Sequence, residues 1–245
     1  MSYSSGLLAN AGGGVSLGYV WQNATAEAQV IIAVLLVFSI FAWSVMLSKA
    51  MQMRRAKRLN QYFESEFRQQ PSVLSIYDRK LPVDGCPLFS VYQDGCKDLE
   101  GHLVKGPDSK RREYTSIKAM EHVKRALEGA VAREALRLES GLILLALAVS
   151  GAPFLGLLGT VWGVMDAFGG VARAAQAGQR ADLAAMAPGV SAALITTVAG
   201  LLVAIPSMFG YNYLVHNLRV LAVELDNFAQ SLASRMETEF LKDDE

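Results

Sequence analysis

The fold is decided by GAPFLGLLGTVWGVMDAF at residues 151–168 and by PGVSAALITTVAGLLVAIPSMFGYN at residues 188–212. The second lies within a longer stretch without an acidic, basic or histidine side chain, from 183 to 215, and the first shares all but its last three residues with such a stretch, from 140 to 165. A helix needs about 20 apolar residues to cross a bilayer. Both stretches exceed that length, so each predicts a membrane-spanning helix.

Small residues recur at a spacing of four along both stretches. They are Ala152, Gly156 and Thr160 in the first, and Thr196, Gly200 and Ala204 in the second. Gly159 and Gly163 add a second such step. Small residues on one helix face let two backbones approach closely, so these faces are expected to pack on other helices. Pro153 and Pro206 each remove a backbone hydrogen bond and are expected to kink their helices.

Thr160, Thr196 and Thr197 are the polar residues near the middle of these stretches. They allow two interpretations. In the first, the helices form a packed bundle and each hydroxyl bonds back to a carbonyl one turn earlier. In the second, the hydroxyls form a polar strip that lines a conduction path.

A third apolar stretch, AQVIIAVLLVFSIFAWSVML at residues 28–47, predicts another membrane helix. A basic cluster follows it at once: Lys49, Arg54, Arg55, Lys57 and Arg58. The first 48 residues contain no Lys or Arg, whereas residues 48–139 hold 18 of the 23 in the chain. Cationic flanks favour the cytoplasm, so the N-terminus is predicted outside and the C-terminus inside.

The chain is therefore predicted to be an all-α integral membrane protein with three transmembrane helices, two of which extend into a cytoplasmic helical domain. The predicted segments are a periplasmic N-terminal segment at 1–27, spans at 28–47, 140–165 and 189–214, a cytoplasmic domain at 48–139, a short periplasmic loop at 166–188, and a cytoplasmic helix and tail at 215–245.

Four helical patterns stand out beyond the three apolar stretches themselves. Residues 51–70 predict a helix with Leu59, Tyr62, Phe63 and Phe67 on one side. A stripe through Ile117, Met120, Leu127, Val131 and Leu138 predicts one unbroken helix from 111 to 165, roughly 80 Å long. A short helix is expected near 88–99. A heptad seam runs through Leu218, Leu221, Leu225, Phe228 and Leu232.

Several function classes find no support in the sequence. Cys86 and Cys96 are the only cysteines. They fall in the predicted cytoplasmic part, where a disulfide is disfavoured. No histidine pattern accompanies them that predicts a metal site. There is no phosphate-binding loop and no nucleophile motif, and the net charge is zero. Neither an enzyme, a cofactor, a metal nor a nucleic-acid partner is predicted.

The middle of each predicted span lacks any acid, base or histidine. A proton path through hydrocarbon needs titratable groups or water. Thr160 and Thr197 can donate and accept hydrogen bonds, but a hydroxyl does not store a proton at physiological pH. If the chain conducts protons, the carboxylate that carries them is expected to come from a partner.

GLLGTVWGVMDAF and APGVSAALITTVAGLLVAIPSMFGYN resemble the two signature helices of the TolQ/ExbB/MotA family, specifically its TolQ/ExbB branch. The resemblance is strongest over residues 150–214. It implies an inner-membrane motor subunit driven by the proton gradient. It also implies a homo-oligomer, a pentamer, around two helices of an ExbD/TolR-like protein with one membrane aspartate. The motor would energise a TolA- or TonB-like protein for outer-membrane integrity or active uptake.

The resemblance also assigns residues. Thr160 and Thr197 match the threonines that face the partner aspartate, and Thr196 stands where the best-known members have alanine. Those members carry a glutamate early in the third span, where this chain has Ala192. The glutamate's role does not carry over.

Two further residues are candidate accessory groups: Ser191, as a polar neighbour of Ala192, and Asp166, at the outer end of the second span. For Asp166 the alternative is an ordinary solvated interfacial acid.

Three hypotheses remain open at this point: a proton-driven motor subunit, a self-sufficient channel or transporter, and a non-conducting scaffold. A neighbouring gene for a single-span protein with one membrane aspartate would favour the first. The missing intramembrane carboxylate counts against the second, and Ala192 keeps the third open.

Overall fold

The computed structural model describes residues 26–80, 83–105, 112–178 and 186–241. Its helices are α1 (Ala26–Gln69), α2 (Pro87–His102), α3 (Ile117–Glu139), α4 (Leu142–Gln176) and α5 (Ala187–Phe240). Two short 3₁₀ turns, Val73–Ser75 and Tyr77–Arg79, follow α1. The strands β1 (Val104–Lys105) and β2 (Arg112–Tyr114) form a small antiparallel pair. The predicted all-α fold is confirmed, and the β structure in the described residues is limited to this pair and an isolated bridge between Thr115 and Leu241.

Three helices of the described chain, α1, α4 and α5, are long and apolar enough to cross a membrane. The prediction of three membrane-spanning helices is therefore confirmed by length and composition. The predicted segment boundaries and their sides of the membrane stay predictions. Most of the expected periplasmic N-terminal segment, residues 1–25, and the acidic end of the tail lie outside the described residues.

The described chain divides into two compact units, and the first comprises residues 26–44, 144–178 and 186–209. Its core is a small cluster in which Ile31, Leu35, Ala152 and Ala204 are buried. Most of its large apolar side chains point outward; Ile40, for example, is 70 % exposed. An exposed apolar surface of this extent needs lipid or protein to cover it, as expected for membrane helices.

The second unit comprises residues 45–80, 83–105, 112–143 and 210–241. Its core is an aromatic cluster, with neighbouring ring centroids 5.4–6.2 Å apart. The rings are those of Phe63, Phe67, Phe89, Tyr92 and Phe228. The heptad seam of α5 lines this core, because Leu221, Leu225, Phe228 and Leu232 are all buried.

Arg235 of α5 holds the end of α1. Its guanidinium donates to the carbonyls of Phe67, at 3.1 Å, and Gln70, and it lies 4.9 Å from the centre of the Phe67 ring. The last carbonyls of a helix lack helical donors. Arg235 supplies donors there, just before Pro71, which itself disfavours a helical residue in front of it.

The predicted continuous helix from 111 to 165 is wrong. Residues 112–114 form β2, α3 begins at Ile117 and ends at Glu139, and α4 begins at Leu142. The break falls at Ser140 and Gly141, and Gly141 has φ +85°, a conformation that favours glycine. Lys49 accompanies the break, since its ammonium donates to the Leu138 carbonyl at 3.3 Å. Burial lowers the pKa of Lys49.

Two residues assigned to buried faces lie on the surface instead. Tyr62 is 73 % exposed, while its neighbour Phe63 is buried. Ile117 is also exposed, because it occupies the first turn of α3 directly after the capping residue Ser116. The buried face of α3 runs through Met120, Val123 and Leu127.

Both cysteines are free and buried within the second unit. Desolvation raises the pKa of the Cys86 thiol and raises that of Cys96 to about 12. Since the thiolate is the reactive form, the raised pKa values keep both thiols protonated and unreactive. We expect both to resist maleimide at pH 8 in the native protein and to react fully in denaturant, as counted by mass spectrometry.

A Gln93→Cys variant provides the control for this labelling, because Gln93 is exposed on α2. Its new thiol is expected to react within minutes under native conditions. Equally fast labelling of Cys86 and Cys96 in the native protein would show that the second unit opens readily.

Candidate functional site

Helices α4 and α5 pack antiparallel along a seam of small residues. The pairing is visible where a Cβ added to a glycine of one helix meets the other helix. Gly156 meets Thr197, Gly159 meets Thr196, and Gly163 meets Ala193. Further along, Gly189 of α5 lies against Ala167 of α4. As residue numbers rise on α4 they fall on α5.

Backbone meets backbone at two points of this seam. A Cβ on Gly200 would lie 2.6 Å from the Ala152 carbonyl oxygen and 3.2 Å from the Gly156 Cα. A Cβ on Gly156 would lie 2.9 Å from both the Thr196 carbonyl oxygen and the Thr197 Cα. Neither contact can be relieved by rotating a side chain, so the two helices need glycine at both positions.

Thr160, Thr196 and Thr197 have different surroundings. Thr196 is completely buried, and its hydroxyl oxygen lies 2.6 Å from the Ala193 carbonyl oxygen and 3.1 Å from that of Gly156. Thr197 is half-buried and donates to the same Gly156 carbonyl at 3.1 Å. Thr160 is half-buried and donates to Leu157 of its own helix at 2.7 Å.

These contacts bring Thr196 and Thr197 together on one acceptor and leave Thr160 bonded within α4. Sequence patterns do not single out backbone carbonyls, so the shared acceptor on Gly156 was absent from the sequence-based site. Thr160 and Thr197 are each partly exposed, so their hydroxyl groups can hydrogen-bond to a polar group from outside the chain.

Ala192 and Ser191 lie at the start of the third apolar helix, on different faces. Ala192 is buried, at 5 % exposure, whereas Ser191 is exposed. Consecutive helical residues point about 100° apart, so the Ser191 hydroxyl does not occupy the place of the Ala192 side chain.

Asp166 lies on the surface of α4, 3.9 Å from the guanidinium of Arg173. An exposed pair of this kind contributes little to stability. The Asp166 carboxylate is exposed. Its accessory role stays a prediction.

Pro153 and Pro206 lie inside α4 and α5, which continue through them. The Ser207 hydroxyl, next to Pro206, donates to the Val203 carbonyl at 2.7 Å. Within the described ranges, no group of three or more His, Cys, Asp or Glu side chains is arranged to hold a metal ion.

The sequence matches the family model described as the MotA/TolQ/ExbB proton channel family over residues 98–227, which is more than half of the chain. This chain belongs to that family. The match covers α3, α4 and most of α5, and therefore the whole glycine and threonine seam.

Relatives in the MotA/TolQ/ExbB family extend the match. The Tol-Pal system protein TolQ of Pseudomonas aeruginosa is 32% identical over 196 residues, covering 78% of this chain and 79% of the relative. TolQ of Haemophilus influenzae is 31% identical, covering 84% and 86%. The biopolymer transport protein ExbB of Pseudomonas putida is 30% identical, covering 79% and 55%.

The resemblance stated from the two signature helices is thus confirmed. Members of the MotA/TolQ/ExbB family are channel or motor subunits rather than enzymes. Together with three membrane-length helices, the membership identifies a multi-pass inner-membrane protein of the TolQ/ExbB type.

Proposed function

We propose that this chain is the ring-forming subunit of a proton-driven motor. In the proposed assembly, several copies, five by the family resemblance, surround two helices of an ExbD/TolR-like protein. A membrane aspartate of that partner carries the proton. The motor then transmits force to a TolA- or TonB-like protein for outer-membrane integrity or uptake.

One observation carries the proposal. The α4–α5 pair presents two half-buried hydroxyls, Thr160 and Thr197, within stretches that contain no acid, base or histidine, 140–165 and 183–215. Hydroxyls of this kind can hold a carboxyl group in either protonation state, since they donate and accept hydrogen bonds. They cannot replace it as a proton carrier, which accounts for the need for a partner.

The energy available suits such a device. One proton that crosses 100 mV releases about 2.3 kcal/mol. Neutralising a carboxylate changes its hydrogen-bonding needs, and a few kcal/mol are enough to shift a helix bundle between two arrangements. The proposed orientation, N-terminus periplasmic and C-terminus cytoplasmic, rests on the basic cluster after residue 47.

Proton flux into liposomes under an imposed potential tests the proposal. We expect flux from the chain with its ExbD/TolR-like partner and none from the chain alone. Thr160→Val or Thr197→Val should lower the flux about tenfold or more, because each removes a hydrogen bond to a charged group. Ser150→Ala is the control, since that exposed hydroxyl bonds only to its own helix at 3.0 Å.

The other outcomes point to the alternative functions. Flux from the chain alone would contradict a carrier supplied by a partner and would favour a self-sufficient channel. A stable complex without flux would favour the scaffold, for which Ala192 in place of a glutamate is the supporting observation.

A further inference from the structure

Two neighbouring hydroxyls compete for one backbone carbonyl in the seam. The hydroxyl oxygens of Thr196 and Thr197 each lie 3.1 Å from the Gly156 carbonyl oxygen. Within α4 the amide of Thr160 is the helical donor to that same carbonyl. A carbonyl oxygen has two lone pairs. Three donors therefore exceed what Gly156 accepts, and one hydroxyl is always in surplus.

The two hydroxyls differ in what else they can reach. Thr196 is completely buried and has a second acceptor, the Ala193 carbonyl, at 2.6 Å. Thr197 is half-buried, and Gly156 is its one acceptor among the described residues. A hydroxyl has a single proton to donate. The Thr196 hydroxyl can therefore donate to either the Gly156 or the Ala193 carbonyl, and it keeps one hydrogen bond in both cases.

Among the described residues of the same unit, no charged side chain bonds to either threonine. Across 26–44, 144–178 and 186–209, the ionisable side chains are Glu27, Asp166 and Arg173. None of these three side chains bonds to the two threonines, and Asp166 pairs with Arg173. The partly exposed side of Thr197 is where a group from another chain can approach and select one arrangement.

We propose that Thr196 and Thr197 exchange the Gly156 carbonyl each time a partner's carboxyl group beside Thr197 gains or loses its proton. This inference rests on the proposed function, which supplies that carboxyl. Thr196 is then a positioning residue, because it acts through Thr197 and does not touch the carboxyl.

The exchange follows from donor and acceptor counts. A carboxylate only accepts, so Thr197 turns to donate to it, and Thr196 donates to Gly156 in its place. A protonated carboxyl donates its O–H to the Thr197 oxygen, so Thr197 donates to Gly156 again and Thr196 returns to Ala193. The threonines keep their protons throughout, and no covalent bond of theirs changes.

The role of Thr196 gives it a specific signature. When the Thr196 hydroxyl is removed, Thr197 can donate to the carboxylate only by giving up its hydrogen bond to the Gly156 carbonyl. No other hydroxyl then replaces that bond. The charged form of the carboxyl is then less favourable, so its pKa rises. One hydrogen bond in this setting corresponds to a rise of about half to one pH unit.

The experiment uses the complete complex with its partner and two variants. Thr196→Val keeps the shape of the side chain beside Gly159 and removes the hydroxyl, whereas Thr196→Ser keeps the hydroxyl. Proton flux is measured against pH, and the carboxyl is titrated by infrared spectroscopy in the same samples. We expect Thr196→Val to move both midpoints upward by about half to one pH unit. Thr196→Ser should match the wild type.

The infrared titration separates this inference from the proposed function, because it does not depend on flux. Midpoints for Thr196→Val that match the wild type would overturn the exchange, even where Thr197→Val abolishes flux as proposed. Equal shifts in Thr196→Ser and Thr196→Val would also overturn it, since packing would then be the cause. If the titration midpoint of the partner's carboxyl group is the same in Thr197→Val as in the wild type, both proposals are overturned.

Discussion

Gly200→Ala and Gly156→Ala are each expected to destabilise the helix pair of the first unit by about 1–3 kcal/mol. The added methyl group of Gly200→Ala meets the Ala152 carbonyl oxygen at 2.6 Å, and that of Gly156→Ala meets the backbone of α5 at 2.9 Å. Backbone atoms cannot turn aside, so α4 and α5 must separate. Thermal unfolding of the purified protein in detergent measures the loss.

Glycines of the same helix provide the matched control. A Cβ on Gly151 or Gly169 of α4 meets no atom within 4 Å. Alanine has the higher helix propensity, so Gly151→Ala and Gly169→Ala are expected to leave the melting temperature unchanged or raise it. A similar fall for all four variants would show that the seam has no special need for glycine.

Phe63→Ala is expected to destabilise the second unit by about 3–5 kcal/mol. Phe63 is 5 % exposed and touches four other rings, those of Phe67, Phe89, Tyr92 and Phe228. Its removal leaves a cavity where α1, α2 and α5 meet. Denaturant unfolding of the whole chain, followed by the near-ultraviolet circular dichroism of the packed aromatic rings, measures the change.

Tyr62→Ala tests whether the loss of stability depends on the burial of the aromatic ring or on the loss of any aromatic ring from this helix. Tyr62 precedes Phe63 in the same helix but is 73 % exposed. Its replacement is expected to change the unfolding free energy by less than about 0.5 kcal/mol. An equally large loss for Tyr62→Ala would contradict the packing around Phe63.

The membrane helices were predictable because length and lack of charge suffice to identify them. The break at Ser140 and Gly141 was not. Gly141 and Gly151 each follow a serine and precede an apolar residue, yet only Gly141 adopts φ +85°. Its neighbour in space is Lys49, which reaches across 89 residues of chain to the Leu138 carbonyl. A local pattern carries no record of such a contact.

The candidate site was predictable in its residue types but not in its orientation. Thr196 and Thr197 are adjacent, so a helix turns them about 100° apart, and both cannot face one partner equally. Small and apolar residues surround α5 on all sides here, so periodicity does not say which face meets α4. The glycine contacts decide it and place the Thr196 side chain in the seam.

The glycine seam also bears on how a cell tolerates this protein before assembly. At Gly156 and Gly200 the backbones of α4 and α5 lie in direct contact, so a continuous file of water cannot pass between the two helices at these points. A copy that enters the membrane before its partners is therefore expected to provide no proton-conducting path between its own α4 and α5. We expect surplus copies to leave the membrane potential intact, so synthesis of the subunits need not be strictly matched.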